Sequence, residues 1–469
     1  MQLQRFLTYR LALILLLAVA LRLGIFFAFP ATFAFDQTGA IHGSQAYDDY
    51  ARNLLSTGVY GREPGAPDAL IPPLYSYALA AVYGVFGRGS VQVALFHTVL
   101  DVLSITLLYH TGRRLFPRTA WIGALAALFY ACYPYLIFQN LTLIDTPFFM
   151  LLLHAFVYGL VLLRGRERLD RGTWALAVGT GVVLGLSLLT RVLLPPLAAL
   201  GALWFLFRLN LRQTLLRLLP VALVSGLVVL PWLVRNQAVY GVFVPGALNS
   251  GENFYQGNSE YTIPYFRAGY DVQWVPPQSL QASDPRSPEA NAERFQWGVD
   301  YLRAHPEQIP DLLWVKFLVH WSIDVAPRLN PVEGKVPRLD YQGNVIAETG
   351  EGGGLELGGL PPGDPVGAYS QPLFDQIGRT VHRFYWGGLL LLGIIGAALS
   401  VRQWRDVSLL WFVQISMTLM YLIFHPSTRY RVPSDPLLFL FSAYALVWAW
   451  EWWMQRRHSA AGTTKTSTA

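Results

Sequence analysis

The chain has 469 residues, of which 53% are hydrophobic and only 14% are charged, with a formal net charge of +6. Charged residues make up about a quarter of a typical soluble protein, so this composition excludes an ordinary soluble enzyme. The positive residues lie between hydrophobic segments rather than along one polar surface, which argues against nucleic-acid binding. The single cysteine, Cys132, allows no intramolecular disulfide. The sequence therefore predicts a membrane protein.

Apolar segments long enough to cross a membrane recur along the chain and predict an all-α polytopic bundle. A helix needs about 20 apolar residues to cross the hydrocarbon core of roughly 30 Å. The first run is too long for the core of a signal peptide, so we expect it to be a retained span. About ten crossings are predicted, near 11–30, 91–112, 119–138, 144–163, 173–190, 192–208, 214–234, 384–401, 406–424 and 434–453.

The arginines indicate the orientation of the bundle, because they concentrate at alternate connections between the spans. The positive-inside rule places that side in the cytoplasm together with both termini, as in a multi-pass protein of the cytoplasmic (inner) membrane. The alternation holds only if the apolar segment 71–87, IPPLYSYALAAVYGVFG, does not cross, so we expect it to be interfacial or re-entrant. The arginines that define the inner side are Arg5, Arg10, Arg113, Arg114, Arg118, Arg164, Arg166, Arg168, Arg171, Arg208, Arg212, Arg217, Arg402, Arg405, Arg456 and Arg457.

This topology divides the chain into three parts. Residues 1–234 form an N-terminal transmembrane module, whose first outer loop, 31–90, is predicted to carry interfacial helices. Residues 235–383 form an extracytoplasmic region with Gly- and Pro-rich stretches such as GEGGGLELGGLPPGDP. Residues 384–469 contain the C-terminal transmembrane helices and a cytoplasmic tail.

Four arginines fall on the outer side at the ends of spans, where cytoplasmic anchoring does not explain them: Arg191, Arg235, Arg429 and Arg431. Tyr430 lies between the last two. One guanidinium group can bind two phosphate oxygens at once, and it stays charged at any pH. The four arginines together therefore suit a lipid phosphate. The alternative is that each pairs with a local acid such as Asp435 or reaches ordinary headgroups.

Outer acids are candidates for proton transfer. The segment SQAYDDYARNLLSTGVYG carries Asp48 and Asp49 on a predicted amphipathic helix that ends near Gly58, with Asp36 and His42 upstream. Neighbours on a helix point about 100° apart, so we expect one of Asp48 and Asp49 to be inert. Asp145 begins a predicted span, where simple helix capping is the alternative role.

Other chemistry is weakly represented. There is no Walker phosphate loop, HExxH, CxxC or DxD motif. No metal ligands are therefore predicted and no cofactor is required, although a divalent cation stays possible. His97, Asp101 and His110 share one span and favour a packed polar cluster over a proton path.

The order of these segments resembles the GT-C superfamily of integral-membrane glycosyltransferases. The branch it resembles is the family 39-like one, which includes protein O-mannosyltransferases and the lipid A aminoarabinose transferase. The resemblance covers nearly the whole chain and rests on YDDYARNLLSTGVYG, PPLYSYALAAVYGVFG, GRRLFPR, NLTLIDTPFF, GLSLLTR, LPWLVRNQAVYGVFVPGALNSGENFYQGN and RYRVPSDP.

The resemblance implies a GT-C bundle and an extracytoplasmic active site. It implies an acid in the first outer loop as base, a second acid at Asp145, and arginines on the lipid phosphate of a polyprenyl-phosphate sugar. The family's first acid aligns with Gly43, so the base stays open among Asp48, Asp49 and Asp36. His42, Asn236, Asn253 and Asn258 are the candidates for contacts with the sugar or acceptor.

The sequence thus predicts an inverting glycosyltransferase that moves a sugar from a polyprenyl-phosphate donor to a lipid, glycan or protein acceptor. Two other classes stay open. One is a transporter or flippase of lipid-linked sugars, which would also need a polar path through the membrane. The other is a diverged, non-catalytic protein that binds lipid phosphate, which the glycine at position 43 favours.

Overall fold

The structure is a computed structural model that describes residues 2–33, 35, 44–117, 119–274, 278–328, 337–348 and 372–463. Helices dominate these ranges, which confirms the all-α class, beside a short antiparallel pair of strands, β1 (Pro337–Leu339) and β2 (Val345–Glu348). The first helices are α1 Gln2–Ala28, α2 Pro30–Phe33, α3 Gln45–Thr57, α4 Leu74–Phe86, α5 Ser90–Leu115, α6 Trp121–Ala131, α7 Pro134–Gln139, α8 Thr146–Arg164, α9 Arg171–Leu188, α10 Pro195–Leu206 and α11 Leu211–Tyr240. They are followed by α12 Ser250–Gly257, α13 Thr262–Ala268, α14 Pro288–Ala304, α15 Ile309–His320, α16 Pro372–Leu399, α17 Trp404–Ile423, α18 Thr428–Arg431 and α19 Asp435–Thr463.

Long apolar helices confirm a multi-pass membrane protein. Among the described residues, seven helical stretches are long and apolar enough to cross a membrane, and one of them, Ile377–Ile423, comprises α16 and α17. The shorter apolar helices α6 and α10 occupy two further segments that were predicted to cross. The count of ten crossings stays a prediction. The other six stretches are Tyr9–Ala28, Ser90–Leu115, Thr146–Arg164, Arg171–Leu188, Leu211–Tyr240 and Asp435–Arg457.

The first loop contains the amphipathic helix that the sequence predicts. Helix α3 buries Tyr47 and Tyr50 and ends at Gly58, whose backbone has a φ of 71° and donates to the carbonyl of Leu54. Glycine suits this left-handed conformation because it has no Cβ. The apolar segment after it forms α4, which has 13 residues and packs against α3. At about 20 Å, α4 is shorter than the hydrocarbon core, as expected for a segment that does not cross.

A buried ion pair joins the first helices inside the bundle. Arg22 of α1 donates to Asp101 of α5, and both side chains are fully buried. Asp101 also accepts from Tyr130 Oη at 2.8 Å and from Asn140 Nδ2 at 2.7 Å. His97 Nδ1 lies 3.0 Å from the carbonyl oxygen of Asn140, so it belongs to the same network.

The predicted polar cluster around Asp101 is therefore present, with Arg22 as its cation. The ring of His110 packs against Tyr109 and Tyr158 instead of joining the network.

Residues between α11 and α16 form a further small core. We call residues 241–348, as far as they are described, the connecting region. Its apolar core contains Tyr255, Tyr265 and Leu312. Helix α12 meets the end of α17 so closely that a Cβ on Gly257 would lie 2.0 Å from the carbonyl oxygen of Phe424. The connecting region is thus fixed against the bundle, while the predicted division into domains stays a prediction.

Close backbone contact at a glycine holds α16 against α19. A Cβ on Gly396 would lie 1.9 Å from the carbonyl oxygen of Phe441, so only glycine fits. Gly388 of the same helix has no atom within 4 Å of the corresponding position. The two glycines therefore form a matched pair.

We expect Gly396→Ala to reduce the free energy of unfolding by about 1–3 kcal/mol, because the helices must separate to accept the methyl group. Gly388→Ala should leave it unchanged or raise it, since alanine favours a helix by about 1 kcal/mol over glycine. Thermal unfolding of the detergent-solubilised proteins measures both. Equal unfolding temperatures for the two variants would contradict the packing.

Candidate functional site

An acid–arginine pair lies where α8 begins and α9 ends. Helix α8 begins at Thr146 with Pro147 in its first turn, and Asp145 stands immediately before that helix. Arg191 follows the last turns of α9 and binds Asp145 with both arms: Nε lies 2.6 Å from Oδ2, and Nη2 lies 2.6 Å from Oδ1. The Asp145 side chain is only 2% exposed. This bidentate geometry fixes both side chains at one end of the bundle, which we call the site end.

A second guanidinium shares the same carboxylate. Arg429, on the short helix α18, places Nη2 at 3.8 Å from Asp145 Oδ1. Two positive groups therefore face one negative group. Among the described residues, neither Arg191 Nη1 nor Arg429 Nε has a hydrogen-bond partner, although both atoms are buried. Buried donors without partners are uncommon, and here they indicate a place for an anion.

Aromatic rings enclose these charges. The Tyr430 ring stacks on Tyr421 with centroids 5.1 Å apart, and the Arg191 guanidinium carbon lies 5.9 Å from the Tyr430 centroid. Tyr47 of α3 is buried near Asp145, and burial together with the charge of that carboxylate raises the pKa of Tyr47. We call Tyr47, Asp145, Arg191, Arg429 and Tyr430 the anion cluster. Of the site residues predicted from the sequence, it contains Asp145, Arg191, Arg429 and Tyr430.

The charge of Asp145 is stabilised by its neighbours. Burial alone would raise its pKa, but the charge and hydrogen bonds of Arg191, together with Arg429 and Tyr47, hold that pKa below its usual value. Asp145 is therefore a carboxylate under ordinary conditions. A strongly paired carboxylate is a weak proton acceptor, so it suits an anchoring role better than that of a base. Its side chain binds cations here, rather than capping α8.

Asp271 is an acid that the sequence reasoning missed. It lies in the connecting region, where its Oδ1 accepts from the backbone N–H of Gln273 at 3.0 Å. Gln273 Nε2 in turn donates to Tyr430 Oη at 3.2 Å, which places this segment beside the anion cluster. Burial raises the pKa of Asp271, although Arg429 lowers it in part. No cation among the described residues forms an ion pair with it.

Asp48 and Asp49 lie outside the anion cluster. Asp48 is fully buried and accepts from Arg52 at 2.9 Å, from Tyr83 Oη at 2.9 Å and from Arg88 at 2.9 Å. Asp49 pairs with Arg52 at 2.5 Å, and burial raises its pKa. Because Asp48 is enclosed by its partners, it is the less accessible of the two.

Arg235 and Asn236 hold the first loop. Arg235 donates to the carbonyls of Asp68 and Tyr60, both at 2.7 Å, and its guanidinium lies 4.8 Å from the Trp232 ring. Asn236 is fully buried, accepts from Arg235 at 3.1 Å and donates to the carbonyl of Val244 at 3.4 Å. The structure does not bring either residue to the anion cluster.

Arg431 is also placed elsewhere, so the four outer arginines do not form one rim. Its guanidinium is fully buried, pairs with Asp435 at 3.2 Å and lies over Trp386 at 3.9 Å. It also donates to the carbonyls of His320 and Ser322. For Arg431 the alternative weighed from the sequence, pairing with Asp435, describes the observed contact.

The predicted asparagines of the connecting region contact its neighbours in the bundle. The carbonyl of Asn253 lies 3.2 Å from His425 Nδ1. Asn258 is buried, donates to the carbonyl of Ile423 at 2.9 Å and accepts from Lys316 Nζ at 2.9 Å. Burial lowers the pKa of Lys316 to about 7. These contacts hold the segment that leads to Arg429.

Two predicted residues, Asp36 and His42, lie outside the described residues. Within the described ranges, no group of three or more His, Cys, Asp or Glu side chains could hold a metal ion. The possible divalent cation therefore stays a prediction.

An apolar cavity lies at the end of α9 and the start of α10. It has a volume of about 130 Å³, and its lining includes Leu189, Val192, Val229 and Trp232. Leu189 and Val192 flank Arg191 in the chain.

Residues 71–234, less than half of the chain, match the model of the dolichyl-phosphate-mannose-protein mannosyltransferase family. Two structures from Archaeoglobus fulgidus share the fold: the oligosaccharyltransferase in complex with Zn and sulfate, and the oligosaccharyltransferase AglB in complex with an inhibitory peptide and a dolichol-phosphate. Each is 15% identical, with TM-scores of 0.54 and 0.57, and matches 98% and 99% of this chain. The chain has a GT-C fold. It spans 51% and 52% of those two proteins, so about half of their length.

ArnT from Cupriavidus metallidurans bound to undecaprenyl phosphate is also similar to this chain. It is 15% identical, and the match covers 92% of this chain and 76% of that protein at a TM-score of 0.39. No curated protein matches the sequence.

Asp145→Asn should destabilise the protein, because it leaves the buried Arg191 without its counter-charge. We expect a loss of about 3–5 kcal/mol in the free energy of unfolding at neutral pH. The pKa of Asp145 is lowered in the folded protein, so its stabilisation is present above the ordinary Asp pKa. This stabilisation is lost as the pH falls through the lowered pKa of Asp145. The free energies of unfolding of wild type and variant should then converge.

Thermal unfolding from neutral to acidic pH measures this difference. Asp300→Asn is the control, because that side chain is 60% exposed and its nearest arginine is 3.8 Å away. We expect its effect to stay within about 0.5 kcal/mol. An Asp145→Asn variant as stable as wild type at neutral pH would contradict the importance of the pair.

Proposed function

We propose that this protein is a glycosyltransferase that takes its sugar from a polyprenyl-phosphate donor. The observation that carries the proposal is the anion cluster, in which two guanidinium groups share one carboxylate and each keeps a buried N–H that no described residue accepts. A phosphate oxygen supplies the acceptors that those N–H groups lack. The matched family is named for a dolichyl-phosphate sugar, and AglB was solved with a dolichol-phosphate, which supports the same donor class.

The arginines would act on the leaving group. An acceptor hydroxyl or amine attacks the anomeric carbon, the bond from that carbon to the phosphate oxygen breaks, and negative charge grows on the phosphate. The attraction of Arg191 and Arg429 for the phosphate is strongest at that stage, so they would stabilise the transition state more than the bound donor. A single displacement of this kind inverts the anomeric centre.

Asp271 is our candidate for the base. Asp145 is neutralised by Arg191, and Asp48 is enclosed by Arg52, Arg88 and Tyr83. Asp271 instead has a raised pKa, and its segment reaches the anion cluster through Gln273. A carboxylate with a raised pKa is a stronger proton acceptor. Asp49 and Asp36 stay the alternatives from the sequence.

The apolar cavity would take part of the polyprenyl chain. Its lining includes Leu189 and Val192, which are neighbours of Arg191 in the chain, so the first isoprene units of a donor bound at the anion cluster would find apolar surroundings there. The cluster lies at the ends of α8 and α9 opposite to Arg164 and Arg171, the predicted inner arginines. By the positive-inside rule the reaction would take place on the extracytoplasmic face, with both termini cytoplasmic. The sugar and the acceptor stay open.

Arg429→Gln should lower turnover by about 10²–10³-fold, because it removes a donor aimed at the leaving phosphate. The protein in lipid nanodiscs is given a panel of polyprenyl-phosphate sugars with source membrane extract as acceptor. Mass spectrometry then follows the release of polyprenyl phosphate. The matched control is Arg303→Gln, whose side chain is 74% exposed on α14. Full turnover by Arg429→Gln would remove this residue from the site, and donor binding without release in wild type would favour a non-catalytic protein.

Asp271→Asn should lower kcat by about 10²–10⁴-fold and leave donor affinity unchanged, because an amide cannot accept the proton. In wild type, kcat should fall as the pH decreases through the raised pKa of Asp271, since the rate depends on the carboxylate. The Asn variant should lose this dependence. Release assays over pH, with and without chelator, measure both effects and the role of a divalent cation.

The variants Asp49→Asn and Asp145→Asn are measured in the same release assay as Asp271→Asn, with Asp300→Asn as the exposed control. Loss of turnover in Asp49→Asn alone would show that the base lies in the first loop, as the sequence suggested, and would contradict the role of Asp271.

A further inference from the structure

Helix α15 in the connecting region has an inverted distribution of polar residues. Two of its three ionisable side chains, Lys316 and His320, face the protein and are buried. The third, Asp311 in the first turn, is partly exposed and pairs with Arg267 at 2.8 Å. The opposite face is apolar and exposed, with Leu313, Trp314, Phe317 and Leu318 between 39% and 58% accessible. A helix at a water-facing surface has its polar residues outside. This arrangement therefore indicates that the exposed face does not meet water.

Helix α15 adjoins two membrane helices whose exposed surfaces are apolar. Lys316 Nζ donates to the carbonyl of Leu422 at 2.9 Å, which fixes α15 to the last turn of α17. Ile323, just after α15, lies against Gly387 of α16. Both neighbours expose apolar rows at helical spacing: Ile377, Val381 and Phe384 on α16, and Ile415, Leu419 and Ile423 on α17. Helix α15 therefore lies beside membrane helices whose exposed sides are apolar.

We infer that α15 lies in the leaflet at the site end, with its exposed face against lipid. The helix has 12 residues and is about 18 Å long, so it is too short to cross the hydrocarbon core. Trp314 stacks on Phe317 with centroids 5.8 Å apart. Tryptophan favours the boundary between headgroups and acyl chains, which places this pair at that depth. The connecting region is thus attached to the membrane by α15.

This contact has a consequence for the anion cluster. The ammonium of Lys316 lies at the C-terminal carbonyls of α17, where a helix attracts positive charge. The chain continues from there to α18 and Arg429. Lipid against α15 would therefore support the segment that positions Arg429. The membrane contact itself does not depend on the transferase proposal.

Site-specific fluorescence in nanodiscs tests the contact. In a Cys132→Ser background, which removes the single native cysteine, Trp314→Cys and Leu318→Cys are each labelled with the environment-sensitive fluorophore NBD. Arg303→Cys, on α14 of the same region, is the exposed control. Doxyl groups near the top of the lipid acyl chains quench from the membrane, and iodide quenches from water.

We expect labels at 314 and 318 to emit at shorter wavelength than the label at 303. They should be quenched severalfold more by doxyl lipid and severalfold less by iodide. Iodide quenching equal to that at 303 would show a face in water and overturn the inference. Shielding from both quenchers would show a protein partner, such as a second copy, and would also overturn it. The two labelled positions are independent, so failure of one variant to fold leaves the other to decide.

Discussion

The site end of this molecule depends on the ion pair between Asp145 and Arg191. The pair joins the start of α8 to the chain beyond α9, and it is almost fully withdrawn from solvent. Breaking such a pair leaves a bare charge in a medium of low polarity, so neither helix end can move without a large penalty. Because Asp145 uses both oxygens on Arg191, Arg429 meets an already neutralised carboxylate at a longer distance. The surplus positive charge therefore lies on the Arg429 side.

A second buried pair, deeper in the bundle, supports the first. Asp101 pairs with Arg22 of α1 and accepts a hydrogen bond from Asn140, which precedes Asp145 by five residues. In the segment between Asn140 and Asp145, the carbonyl of Leu143 accepts a hydrogen bond from the backbone N–H of Ser44, which immediately precedes α3. Arg22, Asp101 and Asn140 thus fix the turn that carries Asp145, and the same turn positions Tyr47 above it. The polar groups inside the bundle serve the geometry of the site end.

The sequence predicted the fold class well, because helix length, apolar composition and arginine placement follow directly from the membrane environment. It also identified Arg191 and Arg429, since each departs from the positive-inside rule. The same rule could not separate Arg429 from Arg431. Two residues apart on a helical turn they point about 200° from each other, and only Arg431 reaches Asp435 and Trp386. Asp271 carried no signal, because its position depends on how the connecting region packs against α18.

The balance of charge in the anion cluster is suited to a ligand that must leave. Two arginines without Asp145 would bind the phosphate of the donor and that of the product alike, and uniform binding of this kind does not speed the reaction. Asp145 reduces the surplus to about one positive charge while it keeps Arg191 in a fixed orientation. In the proposed reaction the phosphate gains negative charge as the sugar departs, so the surplus positive charge attracts it most strongly in the transition state. The acid that anchors the site would therefore also set how tightly the lipid phosphate is held.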